Sequence, residues 1–364
     1  MNKTFTIHEL PGRTVPLEDG KRYLWFSGTD YLGMGHNPTF QKYLHEGIEH
    51  YGTHFGSSRN NTLRLAAYEE AELALAQFTG AASALSVSSG MWAGQLVMKY
   101  LENSGPTSDS SARYHFAPCV HPALWGAHYQ PSAAASWTEW AKHTVQAIQE
   151  APAEQVHVIC TDSIGSPWVE AYDFSIFEEL PADKPIWLVV DDSHGLGVLG
   201  EQGCGILRLL PHLPNIHTLV VSSLNKAMGI PAGVILAEDT IVQEIRRLPW
   251  FSGSSPSAPA YMYALTRLLQ MGEYPKAHQQ LLANARYFSD KVRSEGLFVQ
   301  YDDYPVYCSR NVKLYEHLLN HGILSACFPY PRPNDEPVMR VVISAYHQKE
   351  DLDQLAEVCN TFSS

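Results

Sequence analysis

The sequence predicts an α/β protein in which a large domain, built on a mostly parallel central sheet covered by helices, is followed by a smaller α+β domain. Short apolar runs rich in β-branched residues recur between residues 84 and 237, and helical stretches lie between several of them. This alternation is typical of a sheet buried on both faces. From Pro256 the pattern changes to a long helical region that ends near Glu295. A length of 364 residues is sufficient for both domains.

The individual elements follow from periodicity and from turn residues. Between Leu63 and Phe78, apolar and small residues recur at helical spacing, and Gly80 follows as a stop signal. The predicted strands of the large domain cover residues 84–87, 155–160, 186–191, 217–223 and 233–237. The C-terminal part ends with a strand at 338–344 and a helix at 348–362. We therefore expect an N-terminal segment, residues 1–40, that joins the small domain, a large domain at 41–250 and a small domain at 251–364.

Composition excludes several classes of function. The net charge of −13 argues against a nucleic-acid partner, which requires a concentrated basic surface. The first residues contain no apolar segment typical of a signal peptide, and no run approaches the length of a membrane span. The six cysteines are far apart and form no C-x-x-C pair, which favours reduced thiols in a cytoplasmic protein.

Polar side chains follow three of the predicted strands at the point where each strand ends. Asp162 follows the first of them, Asp191 and His194 the second, and Lys226 the third. Ligands of open parallel sheets collect at the carboxyl ends of the strands. The sequence therefore predicts one site that combines carboxylates, an imidazole and an amine.

Three other interpretations of these residues fit less well. The letters G-L-G-V-L-G from Gly195 match a dinucleotide fingerprint, but "DDSH" separates them from the strand and no helix follows. Ser223 and Lys226 match the S-x-x-K motif of a serine hydrolase family, whose S-D-N and K-T-G segments are absent from this sequence. Asp191 and His194 could bind a metal, but the histidines show no ligand spacing such as H-x-x-x-H, so we expect none.

The chemistry that uses a lysine, an aspartate and a histidine together is that of pyridoxal phosphate. The lysine amine forms a Schiff base with this cofactor, and a carboxylate keeps its pyridine nitrogen protonated. Its phosphate requires hydroxyl groups and a helix N-terminus. The stretch "VSSGMWAGQ" at 87–95 supplies both at Ser88, Ser89 and Gly90, and Ser223 can add a further hydroxyl.

The chain resembles the α-oxoamine synthases, which are pyridoxal-phosphate enzymes of fold type I. The resemblance extends from "GRTVPLEDGKRYLWFSGTDYLGMGHNP" through "DDSHGLGVLGEQGCG" and "SSLNKAMG" to "MRVVISAYHQKEDLDQL". The second stretch follows the family's D-D-A-H-G-x-G-x-x-G-x-x-G-x-G run almost letter for letter. One departure is Thr29, where the family's N-D-Y-L-G motif has asparagine.

The resemblance assigns expected roles around the cofactor ring. It implies that Lys226 is the Schiff-base lysine, that Asp191 pairs with the ring nitrogen, and that His194 hydrogen-bonds the phenolic oxygen. His121 matches a histidine that stacks on the ring, and Lys226 is expected to remove the α-proton of the substrate. The catalytic residues are therefore expected to be Lys226, His121 and Asp191.

The resemblance also implies further binding residues. Backbone amides of Gly90 and Met91, together with Ser223, are expected to bind the phosphate. Ser254 matches a hydroxyl residue that reaches the phosphate across a dimer interface, which implies a homodimer with shared active sites. The other expected positions are cofactor-binding Asp162 and Ser166, Arg340 for the amino-acid carboxylate and Arg13 for the acyl substrate.

The implied activity is the decarboxylative condensation of a small amino acid with an acyl thioester, delivered either by coenzyme A or by an acyl carrier protein. The resemblance is nearest to the family member that uses alanine, and the glycine- and serine-using members share nearly all of these residues. Two alternatives outside the family remain open: a fold type I aminotransferase, and a pyridoxal-phosphate-binding scaffold without catalysis.

Overall fold

A computed structural model of the chain describes residues 4–104, 112–294, 296–330, 332 and 334–362. Among these residues the strands, in chain order, are β1 (Thr14–Pro16), β2 (Arg22–Trp25), β3 (Ser83–Val87), β4 (Arg113–Phe116), β5 (His157–Asp162), β6 (Ile186–Asp191), β7 (Ile216–Ser223), β8 (Gly233–Ala237), β9 (Val306–Ser309), β10 (Ile323–Leu324), β11 (Ala326–Pro329) and β12 (Pro337–Val342).

The helices of the same residues, in chain order, are α1 (Pro38–Tyr51), α2 (Ala66–Thr79), α3 (Gly90–Asn103), α4 (Trp137–Gln149), α5 (Asp239–Arg247), α6 (Pro249–Ser252), α7 (Pro259–Gln270), α8 (Glu273–Lys291), α9 (Lys313–Asn320) and α10 (Lys349–Thr361). Gly80 ends α2 in the left-handed conformation, with φ of 80°, which confirms the predicted stop.

A six-stranded sheet in the order β3-β8-β7-β6-β5-β4 forms the centre of the fold. β4, β5, β6 and β7 are parallel to one another, whereas β8 runs antiparallel to both of its neighbours. Every residue of β6 is buried, as expected for a strand covered by helices on both faces. The expected mostly parallel sheet is therefore confirmed, and the five predicted strands of the large domain correspond to β3, β5, β6, β7 and β8.

The structure adds two details that the sequence did not predict. The long helical region after Pro256 is two helices, α7 and α8, because Met271 and Gly272 interrupt it and Gly272 takes a φ of 68°. The edge strand β4 was not predicted, since its four residues are polar or aromatic and only Phe116 is buried. A short edge strand with little apolar character lacks the alternation that reveals longer strands.

Two small sheets accompany the central one. β1 pairs with β2, and β2 pairs with β10, so an N-terminal hairpin shares a sheet with a strand close to the C-terminus. β12 pairs with both β11 and β9, and its inner residues join a second apolar core with α8, α9 and α10. The domain limits at residues 40 and 250 stay a prediction. Within the described ranges, no helix is long and apolar enough to cross a membrane.

Candidate active site

The carboxyl ends of β5, β6 and β7 converge on one cavity of about 200 Å³. Asp162 and Asp191 are the last residues of β5 and β6 and lie opposite each other in register. Lys226 follows three residues after the end of β7. The walls of the cavity are formed by Thr29, His121, Asp162, Ile164, Ser166, Pro167, Asp191, Ser193, His194, Lys226, Phe328, Tyr330 and Arg340.

His194 is the centre of the hydrogen bonding in this cavity. Its Nε2 lies 2.9 Å from Lys226 Nζ and 3.1 Å from Ser166 Oγ. Its Nδ1 lies 2.9 Å from the hydroxyl of Tyr31. Burial lowers the pKa of His194 well below its usual value, and the positive charges of Lys226 and Arg340 act in the same direction. His194 is therefore a neutral imidazole at neutral pH.

Lys226 has the properties of a reactive amine. Burial lowers the pKa of its ammonium group, and Arg340 adds a smaller effect of the same sign. The nearby carboxylates of Asp191 and Asp162 oppose this shift and raise the pKa of the amine. A lysine with a lowered pKa has a larger fraction of the nucleophilic free amine.

The two aspartates differ in their surroundings. Asp191 Oδ1 accepts a hydrogen bond of 2.9 Å from the amide of Ser193. Asp162 accepts from the amide of His121 at 3.2 and 3.3 Å, but its deep burial and the charge of Asp191 raise its pKa well above the usual value. Asp162 is therefore the carboxyl of this pair that readily holds a proton.

His121 faces Asp191 from the loop that follows β4. Its Nδ1 accepts a hydrogen bond of 3.2 Å from the amide of Ala123, and the same atom lies 3.6 Å from Asp191 Oδ2. Burial lowers the pKa of His121. Because Nδ1 of the neutral ring accepts from Ala123, Nε2 carries the hydrogen and remains able to donate to a ligand.

Arg340 enters the cavity from β12, outside the central sheet. The residue is only 7% exposed, and its guanidinium carbon lies 5.4 Å from the ring centre of Phe328. Its Nε is buried without a hydrogen-bond partner among the described residues. A buried guanidinium with a free donor has the chemistry to bind a carboxylate, which accepts two parallel hydrogen bonds.

The N-terminus of α3 adjoins the end of β7. Ser89 caps the helix by accepting a hydrogen bond of 3.2 Å from the amide of Trp92. A Cβ atom at Gly90 would lie 2.5 Å from Ser223 Cβ, so only glycine allows this approach. The predicted residues Gly90, Met91 and Ser223 are thus near one another around Ser89, although they do not line the cavity itself. A capped helix N-terminus next to a hydroxyl is suited to a phosphate group.

Asp192 explains the glycines of the apparent dinucleotide fingerprint. Its carboxylate is buried, and Oδ2 accepts a hydrogen bond of 3.0 Å from the amide of Ile206. A Cβ atom at Gly195 or at Gly205 would collide with one of the carboxylate oxygens. Burial raises the pKa of Asp192 to about 7. Gly195, the first glycine of the fingerprint, and Gly205 beyond it therefore leave room for a buried acid, in agreement with the rejection of a dinucleotide site.

Two predicted residues lie away from the cavity walls. Ser254 Oγ donates a hydrogen bond of 2.9 Å to the carbonyl oxygen of Phe251. Arg13 forms a bidentate pair with Asp351, at 2.7 and 2.8 Å. The expected roles of both residues stay predictions. In the described part of the chain, no three histidine, cysteine or carboxylate side chains are grouped so that they could hold a metal ion.

The sequence did not indicate several residues that complete the site. Phe328 and Tyr330 line the cavity, and the buried hydroxyls of Tyr31 and Tyr304 contact His194 from behind. Aromatic residues of this kind are equally typical of an apolar core. The signal that could have identified Tyr31 was its position in the "DYLG" segment quoted for the resemblance.

Comparisons with known proteins agree with this geometry. A putative 8-amino-7-oxononanoate synthase of Desulfovibrio desulfuricans is 26% identical over 346 residues, which cover 93% of this chain and 89% of that protein. The 8-amino-7-oxononanoate synthase of Paraburkholderia phymatum is 28% identical over 356 residues, with 93% and 88% covered.

Solved structures show that the fold is shared. Serine palmitoyltransferase of Sphingomonas wittichii superposes with a TM-score of 0.80 over 98% of this chain and 91% of that one, at 15% identity. The 8-amino-7-oxononanoate synthase of Francisella tularensis gives a TM-score of 0.68, with 93% and 97% covered, at 17% identity. The predicted fold type I transferase architecture is thus confirmed. Residues 21–358 match the aminotransferase class I and II family, and the chain belongs to that family.

Proposed function

We propose that the protein is a pyridoxal-phosphate-dependent acyltransferase that joins a small amino acid to an acyl thioester with loss of carbon dioxide. The reaction we favour is that of an 8-amino-7-oxononanoate synthase, which condenses alanine with a pimeloyl thioester in biotin biosynthesis. The observation that carries the proposal is the Lys226 amine, which lies 2.9 Å from His194 Nε2 in a cavity that Asp162 and Asp191 also line, where the parallel strands end. The names of the relatives at 26–28% identity support the choice of substrate.

The residues present fit pyridoxal phosphate. The cavity contains a lysine for covalent attachment, a carboxylate to pair with a ring nitrogen, and imidazole and hydroxyl groups for the other polar atoms. Gly90, whose missing side chain lets Ser223 approach the first residue of α3, supports a phosphate position at the N-terminus of that helix. When bound, the cofactor supplies an electron-withdrawing ring that stabilises negative charge on the α-carbon of an amino acid.

The protein residues then have distinct tasks. Arg340 binds and orients the carboxylate of the amino acid through its free donors. The Lys226 amine, with its lowered pKa, accepts the α-proton, and Asp191 supplies the negative charge that holds a protonated nitrogen. His121 donates from Nε2 toward the oxygen of the acyl group, where negative charge develops during the attack.

The assembly is also part of the proposal. We place Ser254 at a homodimer interface, where its hydroxyl serves the phosphate in the partner's site, and Arg13 toward the acyl substrate. The cellular site we favour is the cytoplasm. The 2.9 Å hydrogen bond from Ser254 Oγ to the Phe251 carbonyl holds that hydroxyl against the C-terminal end of the short helix α6.

The test begins with the cofactor and proceeds to the substrates. Protein loaded with pyridoxal phosphate is reduced with borohydride and digested, and mass spectrometry is expected to find the cofactor on Lys226. The peptide that contains Lys184, a second buried lysine, serves as the unmodified control.

Release of thiol is then measured for alanine, glycine and serine, each with a pimeloyl and a palmitoyl thioester. Alanine with the pimeloyl thioester is expected to react fastest. A faster reaction of serine with the palmitoyl thioester would instead indicate a serine palmitoyltransferase. Amino-group transfer to the cofactor without any thioester would indicate an aminotransferase, and no change of the cofactor spectrum with any amino acid would indicate a scaffold.

A further inference from the structure

Tyr31 contacts the active-site histidine from the side opposite to the cavity. Its ring is fully buried, and its hydroxyl oxygen lies 2.9 Å from His194 Nδ1. The hydroxyl of Tyr304, in contrast, donates to the backbone carbonyl of His194 at 3.3 Å. The two tyrosines therefore touch different parts of the same residue, and of the two only Tyr31 contacts a ring nitrogen. Their side chains also form a hydrogen bond with each other.

The hydrogen of the neutral His194 ring has two positions available. Nε2 lies 2.9 Å from Lys226 Nζ. When Lys226 is protonated and not bonded to a cofactor, its ammonium group only donates hydrogen bonds, so it requires the lone pair of Nε2 and leaves the hydrogen on Nδ1. Nδ1 then donates to the hydroxyl oxygen of Tyr31.

The hydrogen-bonding role required of His194 Nε2 changes once the Lys226 nitrogen is bonded to the cofactor. It then no longer presents an ammonium to His194, and the phenolic oxygen of the cofactor requires a donor from Nε2. Nδ1 must therefore become the acceptor. A hydroxyl is the group that suits both states, because it can accept from Nδ1 in the first and donate to it in the second.

We propose that Tyr31 is a positioning residue that lets His194 change tautomer between the cofactor-free and the cofactor-loaded protein. The inference rests on the proposed function, which places the cofactor on Lys226 with its phenolic oxygen toward His194. It goes beyond that function because it assigns a role to a residue that lies outside the cavity walls.

The groups around Tyr31 and His194 keep both side chains uncharged, so the proposed change moves a hydrogen between the two ring nitrogens without changing the charge. Burial and the positive charges of Lys226 and Arg340 lower the pKa of His194, so the ring stays neutral in both states. Burial also raises the pKa of Tyr31, which stays protonated. The titratable and charged groups facing the two residues are Lys226 after β7, His121 in the loop after β4, Arg340 on β12, Cys308 on β9, and Tyr304.

The experiment compares Tyr31→Phe with Tyr304→Phe in the cofactor-loaded protein. Both variants remove one buried hydroxyl and keep the ring, but only the first removes the partner of Nδ1. The visible absorption band of the bound cofactor is titrated with pH. A donor to the phenolic oxygen favours the form in which that oxygen carries the full negative charge. Loss of this donor is therefore expected to raise the pH midpoint of the absorption change. One hydrogen bond corresponds to a shift of about one pH unit in Tyr31→Phe.

The outcomes separate this inference from the proposed function. A raised midpoint in Tyr31→Phe together with an unchanged midpoint in Tyr304→Phe supports the role of Tyr31. Unchanged midpoints in both variants, or equal shifts in both, overturn it while the proposed function stands. A wild-type protein that shows no cofactor band overturns the proposed function and this inference with it.

A second measurement requires no variant and applies even if Tyr31→Phe does not fold. Nitrogen NMR of ¹⁵N-histidine-labelled protein distinguishes the two neutral tautomers, with the signal of His194 assigned by comparison with His194→Gln. We expect the hydrogen on Nδ1 in the cofactor-free protein and on Nε2 after loading. The same tautomer in both states overturns the inference.

Discussion

The two ends of the central sheet each hold a lysine and a pair of histidines, but the polar groups are arranged in different ways. At the amino end, Lys184 Nζ donates to the carbonyl oxygens of Ile148 at 2.6 Å and Gln149 at 3.0 Å, and also to that of Ala151. His115 Nε2 and His157 Nδ1 lie 3.1 Å apart. Lys184 thus binds the end of α4 and the histidines contact each other, although His157 Nε2 is buried without a partner among the described residues. None of these residues lines the active-site cavity.

At the carboxyl end, the corresponding groups point into a cavity and leave donors available. Lys226 lies against His194 and two acids, and Arg340 Nε has no partner in the described structure. Burial and a lowered pKa are common to both ends and so do not identify a site. A site is identified instead by the convergence of oppositely charged groups on an open cavity.

The strongest test of this difference is Lys226→Ala. We expect acyl transfer to fall by roughly 10³-fold or more, which is within the range that general acid–base catalysis contributes. We also expect the variant to lose the covalent attachment of the cofactor, which borohydride reduction and mass spectrometry would detect. The midpoint of thermal unfolding should stay close to that of the wild-type protein, because the residue is only half-buried and caps no element.

The converse variant is Lys184→Met at the amino end. Removing the amine leaves three carbonyl oxygens near the end of α4 without their donor. We expect the free energy of unfolding to fall by about 2 to 4 kcal/mol, as measured by urea denaturation. The folded fraction should retain its turnover number. A loss of turnover without a loss of stability would contradict the assignment of the amino end to structure alone.

Much of this contrast could be predicted from the sequence. The bounds of β6 and β8 were predicted to the residue, and the strand ends correctly brought Asp162, Asp191 and Lys226 together. The signal was strong because a buried parallel strand is a continuous apolar run that ends abruptly at its polar residue. The position of Arg340 opposite these strands followed from the family resemblance and not from any local pattern.

The remainder of the site depends on tertiary contacts. Tyr31 lies 163 positions before His194 in the chain, and no spacing rule connects residues so far apart. Phe328 reaches the cavity from β11, a strand that the sequence did not delimit. Asp192 is the second aspartate of the "DDSH" segment. Its steric exclusion of side chains at Gly195 and Gly205 becomes apparent only when the loop is folded around it.

A smaller effect is expected from Arg340→Met, which preserves much of the apolar contact with Phe328. Hydrogen bonds to a charged group contribute about 1.5 to 3 kcal/mol, so we expect KM for the amino acid to rise by about 10- to 100-fold. KM for the acyl thioester should change far less. The matched control is Arg310→Met, because that guanidinium lies over Trp168 at 5.1 Å and does not line the cavity.

If Arg310→Met raised KM for the amino acid as much as Arg340→Met does, the carboxylate would not be bound where we place it. Stability gives a second readout for the same pair. Arg340 is a buried cation without a full set of partners, so its replacement by methionine should leave the free energy of unfolding unchanged or increase it.

The smallest expected effect concerns acid sensitivity at the amino end of the sheet. Burial lowers the pKa of His115 to about 3 and that of His157 to about 4, whereas both side chains have the ordinary value near 6.5 in the unfolded chain. Between these values the unfolded chain binds more protons than the folded protein. The contribution of the pair to stability is therefore fully present above about pH 6.5 and is lost as the pH falls towards 4.

The double variant His115→Leu/His157→Leu isolates this contribution. Urea denaturation at about pH 7 and about pH 6 should show a loss of stability that is smaller in the variant than in the wild-type protein by about 1.4 kcal/mol. The remaining loss belongs to other buried histidines with lowered pKa, including His194 and His121 at the opposite end. An unchanged pH dependence would mean that the amino-end histidines already bind protons in the folded protein. In that case the carboxyl end alone would hold neutral imidazoles, which would sharpen the difference between the two ends.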